Sequence, residues 1–145
     1  MKYGLKVGQE CPWGKIDHSF TIGGKNGDEM DGVTIKKESR QLINANIRAV
    51  GTPSHGGYGV RTEGMLALLT PEAIHAPTWL GTEHGIRWYE EDCDMPIVLH
   101  GLYLRGHIDL TPSLLRLIED HLNGCHKLYM SKVTARKRLE DSRAS

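Results

Sequence analysis

The chain has 145 residues, of which 39% are hydrophobic and 25% charged, the composition of one folded domain and not of a disordered segment. Lys and Arg number 18 and Asp and Glu number 18, a balance that excludes bulk neutralisation of nucleic acid as the main task. No apolar run approaches the ~18 residues that span a bilayer, and no basic-then-apolar leader opens the chain, so the expectation is a cytoplasmic protein without a membrane partner.

Glycine is enriched, at 17 residues, and Phe occurs once; many turns and a modest aromatic core follow. The cysteines, Cys11, Cys93 and Cys125, are odd in number and form no C-x-x-C pair, which suits reduced thiols. The first turn signal is Gly23-Gly24-Lys25-Asn26-Gly27-Asp28, whose Asn-Gly and Gly-Asp steps accept positive φ. Strands over Ser19–Ile22 and Gly32–Lys36 are predicted to pair across it as a hairpin. Residues 37–46 read equally as helix or loop. Ile47–Val50 is short and β-capable, Gly51–Gly57 is a loop by composition, and Tyr58–Thr62 reads as the returning strand, so the loop caps a second hairpin.

Thr70-Pro71 opens a helix, with Thr as N-cap and Pro at the first helical position, and Pro77 ends it. Ile86–Tyr89 is a strand candidate. The acids of Glu90-Glu91-Asp92-Cys93-Asp94 suit the first turn of a helix over Met95–Leu104, where carboxylates complement the positive helix end. Thr111-Pro112-Ser113 opens another helix with an apolar stripe of Leu114, Leu115, Ile118 and Leu122, stopped at Gly124. From Lys127 onward six basic residues face two acidic ones. The resulting architecture is α+β: a single domain over 1–126, antiparallel hairpins in the first half and helices after, with a basic helix or tail over 127–145.

Two stretches carry chemistry. The loop Gly51-Thr52-Pro53-Ser54-His55-Gly56-Gly57-Tyr58-Gly59 has four glycines whose backbone N–H groups are open to an anion or a closely approaching ligand. His55 adds an imidazole, a side chain able to serve as acid, base or ligand. Ser54 and His55 are adjacent, so their side chains diverge and a nucleophile–base pair between them is disfavoured. A tight turn with a capping histidine, ligand binding and catalysis all remain open for this loop. It matches neither a P-loop nor G-x-S-x-G. The cluster Glu90, Glu91, Asp92 and Asp94 repels itself unless a cation, a basic partner or a helix terminus offsets it. Divalent Mg²⁺ or Ca²⁺ prefers such oxygen donors, with Glu90, Asp92 and Asp94 as candidate ligands, although the spacing is not that of an EF-hand. A zinc site from Cys93, Cys125 and His126 lacks the usual ligand spacing. His75, His121 and His126 read as helix-surface residues. The basic tail offers a route to nucleic acid, with Tyr129 as its one aromatic.

Val50-Gly51-Thr52-Pro53-Ser54-His55-Gly56-Gly57 followed by Trp88-Tyr89-Glu90-Glu91-Asp92-Cys93-Asp94 resembles an uncharacterised domain of phages and other mobile elements. That family carries a T-[PA]-[SG]-H-G-G loop and a W-[YF]-E-E-D-C element. The resemblance covers residues 47–104 and departs after Asp94, where the family continues with an aromatic and this chain with Met95-Pro96. The family has no settled activity, so the resemblance implies only a shared site at Ser54, His55, Gly56, Gly57, Glu90, Glu91 and Asp92, and a host-directed setting.

Three functions follow as expectations. One is an accessory protein that binds a host protein or a nucleotide-like ligand through Ser54, His55, Gly56, Gly57, Tyr58, Glu90, Glu91 and Asp92, counteracting host defence from the host cytoplasm. The alternative is a small metal-assisted hydrolase or transferase, with His55 and Glu91 as catalytic groups. The third is nucleic-acid binding through the tail.

Overall fold

The computed structural model describes residues 5–22 and 30–144; the turn predicted at Gly23–Asp28 lies outside them. The chain is α+β, with antiparallel strand pairs built early and helices dominating later. A small hairpin joins β1 (Glu10–Cys11) to β2 (Gly14–Lys15). The central sheet runs in the order β3 (His18–Phe20), β5 (Ile47–Gly51), β6 (Gly56–Arg61), β8 (Ile86–Glu90) and β7 (Gly81–Glu83). A separate pair joins β4 (Val33–Ile35) to β9 (Ile108–Leu110).

The predicted strands around residues 19 and 33 therefore exist, but they do not pair with each other. β3 pairs β5, and β4 pairs β9. The ambiguous stretch 37–46 is helical: a single 3₁₀ turn over Lys37–Ser39 and then α1 (Arg40–Asn46). The β5–β6 hairpin forms, but its register closes at Gly51 to Gly56, so Gly51, Gly56 and Gly57 belong to the strands rather than the loop, and Thr62 opens a helix rather than ending the strand. Strand β7 carries no hydrophobic signal and is defined by its turn, where His84 and Gly85 both take positive φ, at 54° and 77°, as a two-residue hairpin connection demands.

Helices α2 (Thr62–Leu68), α3 (Pro71–His75), α4 (Met95–Leu104), α5 (Pro112–Cys125) and α6 (Lys127–Ala144) complete the fold. The Thr-Pro starts act as read: Thr70 Oγ1 accepts from Ala73 N–H at 3.2 Å and Thr111 Oγ1 from Leu114 N–H at 3.3 Å. Helix α5 runs one residue past Gly124, ending at Cys125 with His126 as its C-cap. Gly124 has no positive φ and so does not supply the left-handed stop that was expected. No helix among the described residues is long and apolar enough to cross a membrane.

Alternation along the sheet divides the core in two. Ile47, Ala49, Tyr58, Val60 and Tyr89 face the helices, where they meet residues such as Leu68, Ile97, Leu102 and Leu122. Val50 and Trp88 face the other way, against Leu5, Ile16 and Trp13. The rings of Trp13 and Trp88 meet edge to face with centroids 5.4 Å apart. Gly57 and Gly59 lie under this aromatic cap. A side chain at Gly57 would strike the Tyr89 carbonyl and the Trp13 ring, and one at Gly59 the side chains of Leu5 and Trp88.

One histidine is sealed in the helical layer. His100 on α4 is 1% exposed. Its Nδ1 lies 2.8 Å from the Tyr129 hydroxyl on α6, and its Nε2 lies 3.7 Å from Glu119 on α5. Helix α6 is anchored by buried Tyr129 and Met130 and by an Arg136–Glu72 ion pair of 2.7 Å. Residues 137–144 are exposed.

Candidate functional site

The connection between β5 and β6 is tied by one side chain. Thr52 is buried; its Oγ1 donates to the His55 carbonyl at 2.8 Å and accepts from His55 N–H at 3.1 Å, while Thr52 N–H donates to the same carbonyl at 2.7 Å. Pro53 has no N–H to offer. Two of the loop's amides are thus spent inside the loop, and Gly51, Gly56, Gly57 and Gly59 lie in strands. None of those four glycines has positive φ. They are glycines for close approach, and the expected cradle of free glycine amides is not built. Ser54 and His55 stand exposed at the tip.

The turn after β8 comes to this loop through the sheet. Glu91 N–H donates to the Gly56 carbonyl at 2.9 Å, extending the β6–β8 ladder. A Cβ at Gly56 would lie 3.3 Å from Glu91 Oε2. The loop and the acidic cluster therefore meet. They share an open cavity of about 300 Å³ whose lining includes His55, Ser54 and Glu91. Tyr58 contributes to its floor, fully buried, with its hydroxyl donating to Met30 Sδ at 3.6 Å; burial raises its phenol pKa above the ordinary value.

The cavity also holds residues that sequence reasoning missed. His18 lines it from β3, together with Phe20, Met30 and Met95. His18 Nδ1 lies 2.7 Å from Asp17 Oδ1, and Nε2 lies over Gly51. A carboxylate-held imidazole is the arrangement that orients a general base or a phosphate-binding cation. The adjacent Asp17-His18 pair was visible in the sequence, but nothing local showed that β3 would bring it to residue 51.

The four acids divide by role. Glu90 Oε2 accepts from the N–H groups of Asp92 and Cys93, at 3.0 and 3.1 Å, and so closes the turn. Asp94 is 1% exposed and sits at the N-cap position of α4 without capping it. Its Oδ2 accepts from Trp79 N–H at 2.9 Å and its Oδ1 lies 3.0 Å from His126 Nε2. No acid occupies the first turn of α4, because the chain spends residues 91–94 turning away from β8. Glu90, Glu91 and Asp92 each place a carboxylate oxygen within 4.8 Å of the others. Among the described residues these three, without Asp94, are the carboxylates close enough together for a hard divalent cation. Cys93, Cys125 and His126 do not converge that closely among the described residues.

On α6 the tail cations split. Arg136 is committed to Glu72, and Lys132, Lys137, Arg138 and Arg143 are exposed. Tyr129, the one aromatic of that stretch, is buried against His100 and unavailable for base stacking. No known protein-family model, curated protein or solved structure matches the chain.

Proposed function

We propose that the protein captures a small nucleotide-like ligand in the cavity between the 52–55 loop, β3 and the Glu91 turn, as an accessory protein of a phage or other mobile element acting in the host cytoplasm. The observation that carries this reading is the shared cavity, with two imidazoles, one carboxylate and an apolar wall in one place. Its volume of about 300 Å³ sits at the small end of ligand sites and suits a mononucleotide rather than a protein loop. His18 and His55 complement a phosphate, while Glu91 repels one. Glu91 instead suits the donor edge of a base or the hydroxyls of a sugar. Phe20, Met30 and Met95 supply a surface for a flat ring. The T-P-S-H-G-G and W-Y-E-E-D-C resemblance supports the mobile-element setting, and Met95 stands where that family carries an aromatic. Counteraction of host defence by removing a signalling nucleotide fits both.

A thermal-shift panel of nucleotides, with and without Mg²⁺, tests this. A ligand at about 100 times its Kd adds about 2.7 kcal/mol of stability. The expected result is a rise in Tm with a nucleotide that His18→Ala, His55→Ala and Glu91→Ala each remove. No rise with any nucleotide in the wild type overturns the reading and redirects the search to a host protein, by pull-down from lysate.

The convergence of Glu90, Glu91 and Asp92 favours a second reading, metal-assisted hydrolysis or transfer with His55 and Glu91 as catalytic groups. Turnover of a bound nucleotide that depends on Mg²⁺ and is lost in Glu91→Gln supports it. Stoichiometric binding without turnover supports the first.

A further inference from the structure

We propose that Cys93 and Cys125 form a reversible disulfide that clamps the acidic turn to the end of α5. The two cysteines lie far apart in sequence, but the fold brings them side by side. Burial raises the Cys93 thiol pKa, and the nearby Cys125 thiol raises it further. The backbone at residue 93 is fixed to the same helix end from two directions. His121, one turn before Cys125, directs Nε2 to the Cys93 carbonyl at 3.3 Å; His126, immediately after it, does so at 3.0 Å. His126 also holds Asp94. The fold therefore already holds the two segments together at one helix end before any crosslink forms. Both thiols are exposed, whereas Cys11 is half-buried beside the tryptophan cap. Both are therefore accessible to a small disulfide, and an exposed disulfide is the readily reduced kind.

The reaction needs an oxidant, and a low-molecular-weight disulfide such as oxidised glutathione supplies it. One protein thiolate attacks a sulfur of that disulfide, forming a mixed disulfide and expelling one glutathione thiolate. The second protein thiol, after losing its proton to solvent, attacks the protein sulfur and expels the other glutathione. Two protein thiols are oxidised, and one small disulfide is reduced to two thiols. The turn so clamped carries Glu91, and the proposal stands without any assumption about what the cavity binds.

Reduced protein incubated with oxidised glutathione, then read by intact mass and non-reducing peptide mapping, tests this. The expected product has lost two hydrogens, carries a Cys93–Cys125 crosslink, and returns to its starting mass with dithiothreitol. Cys93→Ser and Cys125→Ser are each expected to hold a single glutathione on the remaining partner. Wild-type protein with glutathione on both residues, a crosslink between chains, or unmodified Cys93 and Cys125 under conditions that oxidise a free-thiol control overturns the proposal.

Discussion

His18 and Gly51 face each other across the β3–β5 ladder, and the imidazole fills the space that a side chain at residue 51 would take. The pairing makes the floor of the cavity a contact between a glycine and a ring. It also separates two kinds of glycine in the same motif.

Gly51→Ala strikes the far end of a side chain that is itself exposed, so the ring swings aside. Gly57→Ala strikes the Tyr89 carbonyl, which the sheet holds in place. Gly51→Ala is expected to keep its Tm within a few degrees and lose the nucleotide-dependent shift. Gly57→Ala is expected to lose about 3 kcal/mol through overpacking. Urea denaturation of both variants checks the contrast; equal losses refute it.

The acidic cluster predicts a similar split. Asp94 is buried and accepts from Trp79 N–H beside His126, so Asp94→Ala leaves both partners short and costs about 3 kcal/mol. Asp92 is exposed, and Asp92→Ala is expected within about 0.5 kcal/mol of wild type. Chemical denaturation decides, and a mild Asp94→Ala contradicts the assignment.

Thr52 holds His55 through both halves of the backbone unit. Thr52→Val keeps the shape and removes both side-chain bonds, leaving His55 N–H without its acceptor. A cost of about 1–2 kcal/mol is expected, with ligand binding weaker than in the wild type although the imidazole is kept. Titration calorimetry on the variant and the wild type measures it; unchanged affinity in Thr52→Val shows that the loop needs no such tie.

His100 makes stability depend on pH. Burial lowers its pKa below the ordinary imidazole value, against a smaller opposing pull from Glu119. Between the lowered folded value and the unfolded value of about 6.5, the unfolded chain binds a proton that the folded chain refuses. This contribution to stability is complete above about pH 6.5 and is lost as pH falls from there toward the folded value. Urea midpoints followed from pH 8 to pH 5 are expected to fall less steeply for His100→Gln than for wild type. Parallel curves sink the argument.

Features set by neighbours in sequence were legible. Thr70-Pro71 and Thr111-Pro112 announce their helices because capping is a contact over three residues. The β5–β6 hairpin shows itself through two short strands and the residues between them. Features set by pairing at a distance were not. His18 joins the site through a register with residue 51, and β4 finds β9 instead of the strand before it. The glycines misled for a related reason: a glycine needed for backbone donation and one needed under a tryptophan look alike until the tryptophan is placed. Asp94 looked like its three neighbours in the acidic run because its partners, Trp79 and His126, come from before β7 and after α5.

The β4–β9 pair has a consequence for synthesis. Val33 and Leu110 are opposite each other, so the earlier strand leaves the ribosome long before its partner is made. At about 5–20 residues per second, that interval is on the order of several seconds. During it β5 and β6 can already meet, while residues 33–35 offer an open β edge. A chaperone that shields nascent edges would have to cover this strand for longer than any other strand of the described residues.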